Sequence, residues 1–358
     1  MPDVRYWGDE QIPFYSKWVA MSDEDIARDY GSVMNTEHHY ITISGGGQRG
    51  AYGAGLLVGA PEIGQRPRFN LVTGISTGAL IAPFAYLGEK YDPVLEEIHT
   101  SYSTKDLVEA RPKTAILNED ALSDTAPLAA LLEKYVTQEL MEEIAEEYSH
   151  GRDLLIGTTN LDAARPVIWD VGRIAAYGTP EALQLIRTVM LASASIPGAF
   201  PPVMLEVEAD GQRFDEMHVD GGATNQVFLY PTQFDFDLLV DRLQIVGRPN
   251  VYVLRNAYLS PSWRPVERRV MPIAERTILS LLRTQGIGDL YRIYVQSLED
   301  DLKFHLTDIP DDFNVGASEA FDRKYMTALF ELGRRRGRSG EGWTNVPPGY
   351  SVPYKSEA

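Results

Sequence analysis

Two short strands that each turn through glycines into a helix constrain the fold more than any other feature of this sequence. Tyr40–Ser44 and Phe69–Thr73 predict strands, and they run into the glycine-rich segments Gly45–Gly50 and Gly74–Gly78. Each segment is followed by residues rich in alanine, glycine and leucine, which predict a helix. Strands that alternate with helices in this way form a mainly parallel sheet covered on both faces. The pattern therefore predicts an α/β fold.

The alternation continues along the chain. Further strands are predicted at Asp153–Thr158, Pro166–Trp169, Val203–Val207, Arg213–Val219 and Asn250–Leu254. Helices are predicted at Ser22–Tyr30, Pro180–Ala192, about Val266–Leu298 and about Ser318–Arg335, with Ser22 as an N-cap. We find no repeat and no clear linker. We therefore expect an N-terminal extension at 1–37, one α/β domain at 38–340 with a helical insertion at about 92–150, and an irregular tail at 341–358.

Charge and composition narrow the classes of function. The 358 residues carry a net charge of -18 and no cysteine. A strongly acidic chain repels nucleic acid at long range, so we expect no nucleic-acid partner. Without cysteine, disulfides, thiolate catalysis and cysteine-ligated zinc are excluded. The same charge repels anionic bilayers, so any membrane contact would need a local apolar surface or neutral lipids.

The sequence gives few signs of its compartment. Residues Met1–Glu10 are polar and charged, unlike a secretory signal, and no stretch reaches about 18 uninterrupted apolar residues. A cytoplasmic location is the default expectation, and an exported one would follow if a leader had been removed. The oligomeric state is left open.

The strongest local motif is Gly74-Ile75-Ser76-Thr77-Gly78, a G-x-S-x-G between a predicted strand and a predicted helix. Glycines permit the sharp turn, which lifts the Ser76 hydroxyl out of the sheet. The free N–H groups at the following helix N-terminus favour a developing anion. This context predicts a nucleophilic serine.

The loop Gly45-Gly46-Gly47-Gln48-Arg49-Gly50 also joins a strand to a helix. Successive glycines let backbone N–H groups form an anion-binding nest. The loop lacks the G-x-x-x-x-G-K-[ST] and G-x-G-x-x-G patterns of nucleotide sites, which favours an oxyanion hole over phosphate binding. A tight turn without function is the third interpretation. Arg49 would orient the loop, attract an anionic head group or form a structural ion pair.

A third motif, Val219-Asp220-Gly221-Gly222-Ala223, places an aspartate at the end of a predicted strand. The two glycines allow close approach of backbone. An Asp-Gly pair is usually a turn, so this motif gains its weight from the other two. A buried aspartate has a raised pKa and becomes a useful general base for a serine hydroxyl.

Together these blocks resemble the patatin-like phospholipases. The glycine-rich loop, the G-x-S-x-G, Thr159–Asp162, Ser193–Pro202 and the Asp-Gly-Gly occur in the family's order over about residues 38–226. One departure is Ser44, where an aspartate often precedes the glycines.

The resemblance implies a three-layer α/β/α fold and a lipid acyl hydrolase that needs no cofactor or metal. It assigns Ser76 as nucleophile and Asp220 as its dyad partner. It assigns the oxyanion hole to Gly45, Gly46 and Gly47, with supporting roles for Arg49, Gly74, Gly78, Gly221 and Gly222. The expected substrate is a lipid or phospholipid ester, with peripheral membrane contact as a further expectation.

Alternatives remain within and outside this class. A soluble-ester hydrolase or a transacylase would use the same site. A Ser-His-Asp triad would need His305, the last histidine of the chain, or His218, which precedes the acid. A non-catalytic binding protein is the least favoured interpretation, because Ser76, Asp220 and the loop are intact. His38-His39 lacks metal-site spacing.

Two other segments carry open interpretations. The apolar residues of Ile278–Leu298 predict either core packing, which we favour, or a lid or membrane-facing surface. The arginines between Arg334 and Arg338 favour helix C-terminal charge compensation over contact with anionic head groups.

Overall fold

The fold is described from a computed structural model. It covers residues 1–13, 15–64, 66–110, 121, 123–209, 211–231, 234–261, 263 and 265–350.

Eleven strands lie within these ranges. They are β1 (Arg5–Trp7), β2 (His39–Ile43), β3 (Leu71–Ile75), β4 (Glu109–Ala110), β5 (Ser123–Asp124), β6 (Asp153–Asn160), β7 (Arg165–Asp170), β8 (Val203–Ala209), β9 (Gln212–Asp220), β10 (Asn250–Arg255) and β11 (Lys303–Asp308). Nine of them form one sheet, whereas β4 and β5 pair only with each other.

Thirteen α-helices lie in the described part of the chain. They are α1 (Tyr15–Val19), α2 (Asp23–Tyr30), α3 (Gly50–Gly59), α4 (Thr77–Leu87), α5 (Asp92–Thr100), α6 (Thr104–Leu107), α7 (Ala126–Tyr135), α8 (Gln138–Ser149), α9 (Val171–Ala175), α10 (Pro180–Ser193), α11 (Phe236–Leu243), α12 (Val270–Glu299) and α13 (Arg323–Ser339). None of these helices is both long enough and apolar enough to cross a membrane.

The centre of the sheet is parallel. The main path runs β1-β7-β6-β3-β2-β10-β11, and the five strands from β6 to β11 pair in parallel. The antiparallel members are β1, β7 and the β8–β9 hairpin, whose second strand pairs with the end of β6. The prediction of a mainly parallel α/β sheet is therefore confirmed.

Both faces of this sheet are packed, because successive side chains of a strand point to opposite faces. Ile41 and Ile43 of β2 belong to the larger apolar cluster, which includes residues of α3, α4 and α13. Tyr40 of the same strand belongs to a second cluster with Leu290 and Ile293 of α12. The helices thus cover the sheet on two sides, as the predicted three layers require.

Part of the N-terminal stretch belongs to the sheet. Residues 1–37 were expected to form an extension, yet β1 pairs with β7 in register, with Tyr6 opposite Ile168. Arg5 also forms an ion pair with Glu216 of β9. These contacts make residues 5–7 an edge strand of the same structural unit.

Most predicted elements are present, with shifted ends. Ser22 caps α2 as predicted, accepting from the Asp25 N–H at 3.1 Å. The last helix begins at Arg323 rather than near Ser318, because Asp322 is its N-cap and also accepts the Ser318 N–H at 2.8 Å. The strand predicted at Phe69–Thr73 lies two residues later, as β3.

The insertion at about 92–150 is mostly helical, as predicted, with helices α5 to α8. The β4–β5 pair within it was not predicted. Residues 111–120 of this insertion lie outside the described residues. The tail is irregular over 341–350, where Thr344 bridges to Leu306, and its last eight residues also lie outside.

Candidate active site

Ser76 lies in a sharp turn between β3 and α4. Its backbone φ of 56° is in the left-handed region, which is costly for a residue with a side chain. The turn is tight enough to need both glycines of the motif. A Cβ atom added at Gly74 would lie 2.5 Å from the Gly78 carbonyl oxygen, and one at Gly78 would lie 2.1 Å from the Ile43 carbonyl oxygen.

A second serine holds this turn in place. The Ser76 N–H donates to the Ser193 hydroxyl oxygen at 3.0 Å, and that hydroxyl donates to the Gly157 carbonyl at 2.7 Å. Ser193 is fully buried at the end of α10. Sequence reasoning noted the Ser193–Pro202 block without giving Ser193 a role, because only the fold brings its hydroxyl to the turn.

Asp220 meets Ser76 from the end of β9. Its backbone is paired with Thr158 of β6, and its Oδ1 accepts the Gly222 N–H at 2.7 Å. The Ser76 hydroxyl lies close to its carboxylate. Burial raises the pKa of Asp220 to about 6, although the Ser76 hydroxyl and the Gly222 N–H oppose the shift.

Gly221 lets the loop that begins at Asp220, here called the aspartate loop, approach β6. A Cβ atom added there would lie 2.5 Å from the Gly157 carbonyl oxygen, so a larger residue would push the loop away from the sheet. The same carbonyl accepts the Ser193 hydroxyl. Gly221, directly after Asp220, and the turn at Ser76 are therefore both held against the same residue of β6, Gly157.

The glycine-rich loop lies directly against Ser76. A Cβ atom added at Gly45 would be 3.1 Å from the Ser76 Cβ, and Gly47 has a φ of +58°. The Gly45 N–H donates to the Gln226 carbonyl at 3.3 Å. The N–H groups of Gly46 and Gly47 have no hydrogen-bond partner among the described residues. Of the three predicted oxyanion donors, these two are free to bind an anion.

Ser44 and Asn256 support the loop from beneath. The Ser44 hydroxyl accepts the Asn256 N–H at 2.9 Å and donates to the Gly45 carbonyl at 2.8 Å, while Asn256 Nδ2 donates to the Ser44 carbonyl at 3.0 Å. Asn256 Oδ1 also accepts the Gly53 N–H at 3.1 Å. Sequence reasoning missed Asn256, although its place directly after a parallel strand was a usable signal.

Arg49 ends the short turn that follows the glycines and precedes α3. It is half-buried and does not line the cavity described below. Its positive charge lies near the buried Arg255. Burial lowers the pKa of Arg255 to about 10, with Asp289 opposing and Arg49 adding to the shift.

A large apolar cavity opens onto Ser76. It holds about 870 Å³ of empty space, part of which is open to solvent. The insertion lines one side, with an apolar row listed as Leu128, Leu131, Leu132, Tyr135 and Val136. The main domain lines the other, with Leu80, Phe84, Met190, Phe200 and Met326.

The histidines proposed for a triad lie elsewhere. His218 is fully buried, with Nδ1 3.0 Å from the Thr158 hydroxyl oxygen and Nε2 3.1 Å from Glu216. His305 contacts Asn250 Oδ1 at 3.0 Å on the edge strand β11. Neither residue lines the cavity.

His99 of α5 does line the cavity, which the sequence did not indicate. Its Nδ1 lies 2.9 Å from the Leu95 carbonyl oxygen, and burial lowers its pKa to about 4. It is therefore neutral near pH 7. Within the described ranges there is no cluster of three histidine, aspartate or glutamate side chains that could hold a metal ion.

Comparison with known proteins decides the family. The family model described as patatin-like phospholipase matches residues 41–232, more than half of the chain and the whole span from β2 to the segment after Asp220. The chain belongs to the patatin-like phospholipase family. The family implies a hydrolase that acts on lipid acyl esters.

The chain was also compared with solved structures, and the similarity is low. The crystal structure of VipD from Legionella pneumophila is similar with a TM-score of 0.34 and 12% sequence identity. The likeness covers 86% of this chain and 67% of that one. A comparison with curated proteins gave no match.

Proposed function

We propose that this patatin-like protein hydrolyses lipid acyl esters through an acyl-Ser76 intermediate, with Asp220 as general base. One observation carries the proposal. A strained serine lies beside a buried aspartate and lines an almost wholly apolar cavity with about 870 Å³ of empty space, part of it open to solvent. This geometry supports a nucleophile with an adjacent base and an apolar site for an acyl chain.

The proton has a short path in this arrangement. Asp220 takes the Ser76 proton as Oγ attacks the ester carbonyl carbon, and it returns that proton to the departing alcohol oxygen. In the second half, Asp220 takes a proton from water, whose oxygen attacks the acyl carbon. The carboxylic acid leaves and Ser76 recovers its proton. A pKa near 6 suits both transfers, because the carboxylate is ionised at pH 7 yet more basic than an exposed aspartate.

The developing oxyanion would be bound by backbone N–H groups. Gly46 and Gly47 offer unpartnered N–H groups beside Ser76, and Thr77 begins α4, where an N–H has no partner within the helix. Donors of this kind typically contribute about 10²–10³ in kcat. Sequence reasoning had not included Thr77 among them.

The test is covalent labelling together with a substrate series. A fluorophosphonate probe should label Ser76, and Ser76→Ala should abolish both labelling and hydrolysis of p-nitrophenyl esters. Ser195→Ala is the matched control, because Ser195 donates to the Leu191 carbonyl at 2.9 Å rather than taking part at the cavity. Labelling that persists at another serine in Ser76→Ala would overturn the assignment.

Substrate class follows from the same series. Rates should rise with acyl length across short to long p-nitrophenyl esters, because the cavity wall offers apolar contact along the chain. A phospholipid panel run beside it should show acyl release. Highest activity on the shortest esters, with none on phospholipids, would instead indicate a soluble-ester hydrolase. Acyl transfer to an added alcohol faster than hydrolysis would indicate a transacylase.

A further inference from the structure

The first half of α12 has no buried residue. Every buried position of this thirty-residue helix lies between Gly286 and Ser297. Residues 270–284, which we call the projecting half of α12, are exposed or half-buried throughout. Its exposed apolar side chains are listed as Val270, Met271, Ile273, Ile278, Leu279 and Leu281. The expectation that Ile278–Leu298 packs in the core holds only for its second part, where Leu290 and Ile293 are buried.

The projecting half lies beyond the edge of the sheet that carries the active site. The helix ends at Glu299, close to where the parallel strand β11 begins, so its second half covers the sheet and its first half extends past the carboxyl ends of the strands. Two hydrogen bonds join the start of the second half of α12 to the loop that follows Asp220. Gln285 donates to the Thr224 carbonyl, and Asp289 accepts the Gln226 N–H at 2.7 Å.

Helix geometry gives the reach of this segment. At 1.5 Å per residue, fifteen residues extend about 22 Å beyond those contacts. Thr224 and Gln226 follow Asp220 by only four and six residues, so the helix leaves the sheet beside the aspartate loop. The projecting half therefore begins next to the loop that follows Asp220, although none of its residues lines the cavity at Ser76.

Its charge is opposite to that of the remaining chain. The segment 261–284 contains five arginines and two glutamates, a net charge of +3, whereas the whole chain carries -18. Arg276 and Arg283 are seven residues apart and share one face of the helix. The apolar positions recur along another face at intervals of three or four residues, as Val270, Ala274, Ile278 and Leu281. Just before the helix, Trp263 is 89% exposed.

We propose that the projecting half of α12, with Trp263, docks on an anionic lipid surface. Apolar side chains beside arginines and an exposed tryptophan are the features of a helix that lies in a membrane interface. Anionic lipid attracts the local arginines while it repels the acidic remainder, which turns this edge toward the bilayer. A second copy of the chain fits less well, because a symmetric contact would oppose two surfaces of charge +3.

This inference rests on the proposed function, since a lipid hydrolase needs its site at the lipid surface. Binding is measured on Ser76→Ala, so that the vesicles stay intact. Vesicles of phosphatidylcholine alone are compared with vesicles that also contain phosphatidylglycerol, by flotation. We expect at least tenfold tighter binding to the anionic vesicles, with a blue shift of tryptophan fluorescence.

Surface variants locate the contact. Ile278→Ser with Leu281→Ser should weaken binding at least tenfold, and Arg268→Glu should weaken binding to anionic vesicles about fivefold or more. Matched controls on the β8–β9 hairpin are Met204→Ser with Phe214→Ser, which are 51% and 49% exposed, and Arg213→Glu. These controls should bind as the parent does.

Three results would overturn the docking surface. They are equal binding by the α12 variants and the hairpin controls, absence of binding by the parent, and a dimer that the Ile278→Ser, Leu281→Ser change dissociates. The α12 changes made with Ser76 intact should keep soluble-ester hydrolysis within twofold. If esters are not cleaved but vesicle binding follows the predicted pattern, the proposed function fails and the docking surface stands. If Ser76 cleaves esters while the α12 changes leave vesicle binding unaltered, only the docking surface fails.

Discussion

At the scale of single residues, the site holds two groups in conditions that cost folding free energy. Ser76 has a positive φ, and Asp220 is a buried carboxylate. Strain of this kind persists only where the surroundings over-determine it. Here Ser193, Gly157 and Gly222 supply the hydrogen bonds that do so. The arrangement suits a reaction centre better than a purely structural turn.

The first prediction distinguishes a dyad from a triad. Asp220→Asn should lower kcat/KM by orders of magnitude, about as much as Ser76→Ala, because the two residues act as one unit. His218→Ala, His305→Ala and His99→Gln should stay within about tenfold of the parent, or about 1.4 kcal/mol in barrier. Each folded variant is assayed on one soluble ester. A histidine variant as inactive as Ser76→Ala would make the Ser–Asp mechanism wrong.

The second prediction concerns the pH dependence of the reaction. Only ionised Asp220 can take the serine proton, and its pKa is raised to about 6. We expect kcat/KM to be constant above pH 7 and to fall about tenfold per pH unit well below 6. His218→Ala should keep the same inflection. An inflection near pH 4 would mean that Asp220 is not desolvated as described.

At the scale of elements, two helices cross with their backbones in contact. A Cβ atom added at Gly333 of α13 would lie 2.1 Å from the Tyr52 carbonyl oxygen of α3, and one at Gly337 would lie 2.2 Å from that of Leu56. Glycines on α3 match them, since a Cβ at Gly55 would lie 2.0 Å from the Phe330 carbonyl oxygen. Because α3 follows the glycine-rich loop directly, this crossing also fixes where the loop ends.

The third prediction tests that crossing. Gly333→Ala should lower the free energy of unfolding by about 1–3 kcal/mol, because two packed backbones must separate. Gly288→Ala on α12 is the control. Gly288 is helical and exposed, with open space where its Cβ would be, so its change should be neutral or stabilising by up to about 1 kcal/mol. Urea denaturation measures both, and equal effects would contradict the close crossing.

Sequence patterns predicted where strands and helices lie better than they predicted which elements pack together. The spacing of apolar residues predicts β2 as a strand and α4 and α10 as helices to within a few residues. Such spacing is a local signal, because the buried face of a strand repeats every two residues and that of a helix every 3.6. The edge strand β1 was not predicted, because three residues are too few to show a periodic pattern. The apolar residues from Leu128 to Val136 recur at helical spacing, yet no local signal distinguishes a cavity wall from a core contact.

The residues of the site also differ in how far the sequence predicts them. Ser76, Asp220 and the glycines stand in recognisable motifs because their backbone geometry restricts the residue types allowed. Ser193 and Asn256 reach the site only through long-range folding, at separations of 117 and 212 residues from their partners. Their roles are hydrogen bonds to backbone, which leave no motif in a single sequence.

At the scale of the whole molecule, buried carboxyl groups make stability depend on pH. Burial raises the pKa of Asp220 and of Asp170 to about 6 each, from 3.8. A raised pKa means that the folded chain holds protons that the unfolded chain releases between about pH 4 and 6. Stability therefore falls as pH rises through this window. Glu216 acts oppositely, because Arg5 lowers its pKa to about 2, and this stability is lost only in stronger acid.

The fourth prediction follows from that balance. The raised carboxyl groups favour a higher free energy of unfolding at pH 5.5 than at pH 8, whereas buried His99, whose pKa is lowered to about 4, favours the reverse. Asp220→Asn removes one of the raised groups, so it should lower the free energy of unfolding at pH 5.5, relative to that at pH 8, by about 1 kcal/mol compared with the parent. Urea denaturation at both values measures this, and the chain remains negatively charged at both because its pI is about 4.8. An equal pH difference in the parent and in Asp220→Asn would contradict the raised pKa of Asp220.

The long-range support of the glycine loop has a consequence for synthesis. A ribosome releases Ser76 and Asp220 well before Asn256, which braces the loop, and before Gly337, which packs against α3. At about 5–20 residues per second, roughly 6–25 s separate the emergence of Asp220 from that of Gly337. During this interval β2 also lacks its neighbour β10. A nascent chain thus carries Ser76 before the contacts that hold the glycine loop exist, and under the proposed function acyl-ester hydrolysis would begin only after α13 has been synthesised.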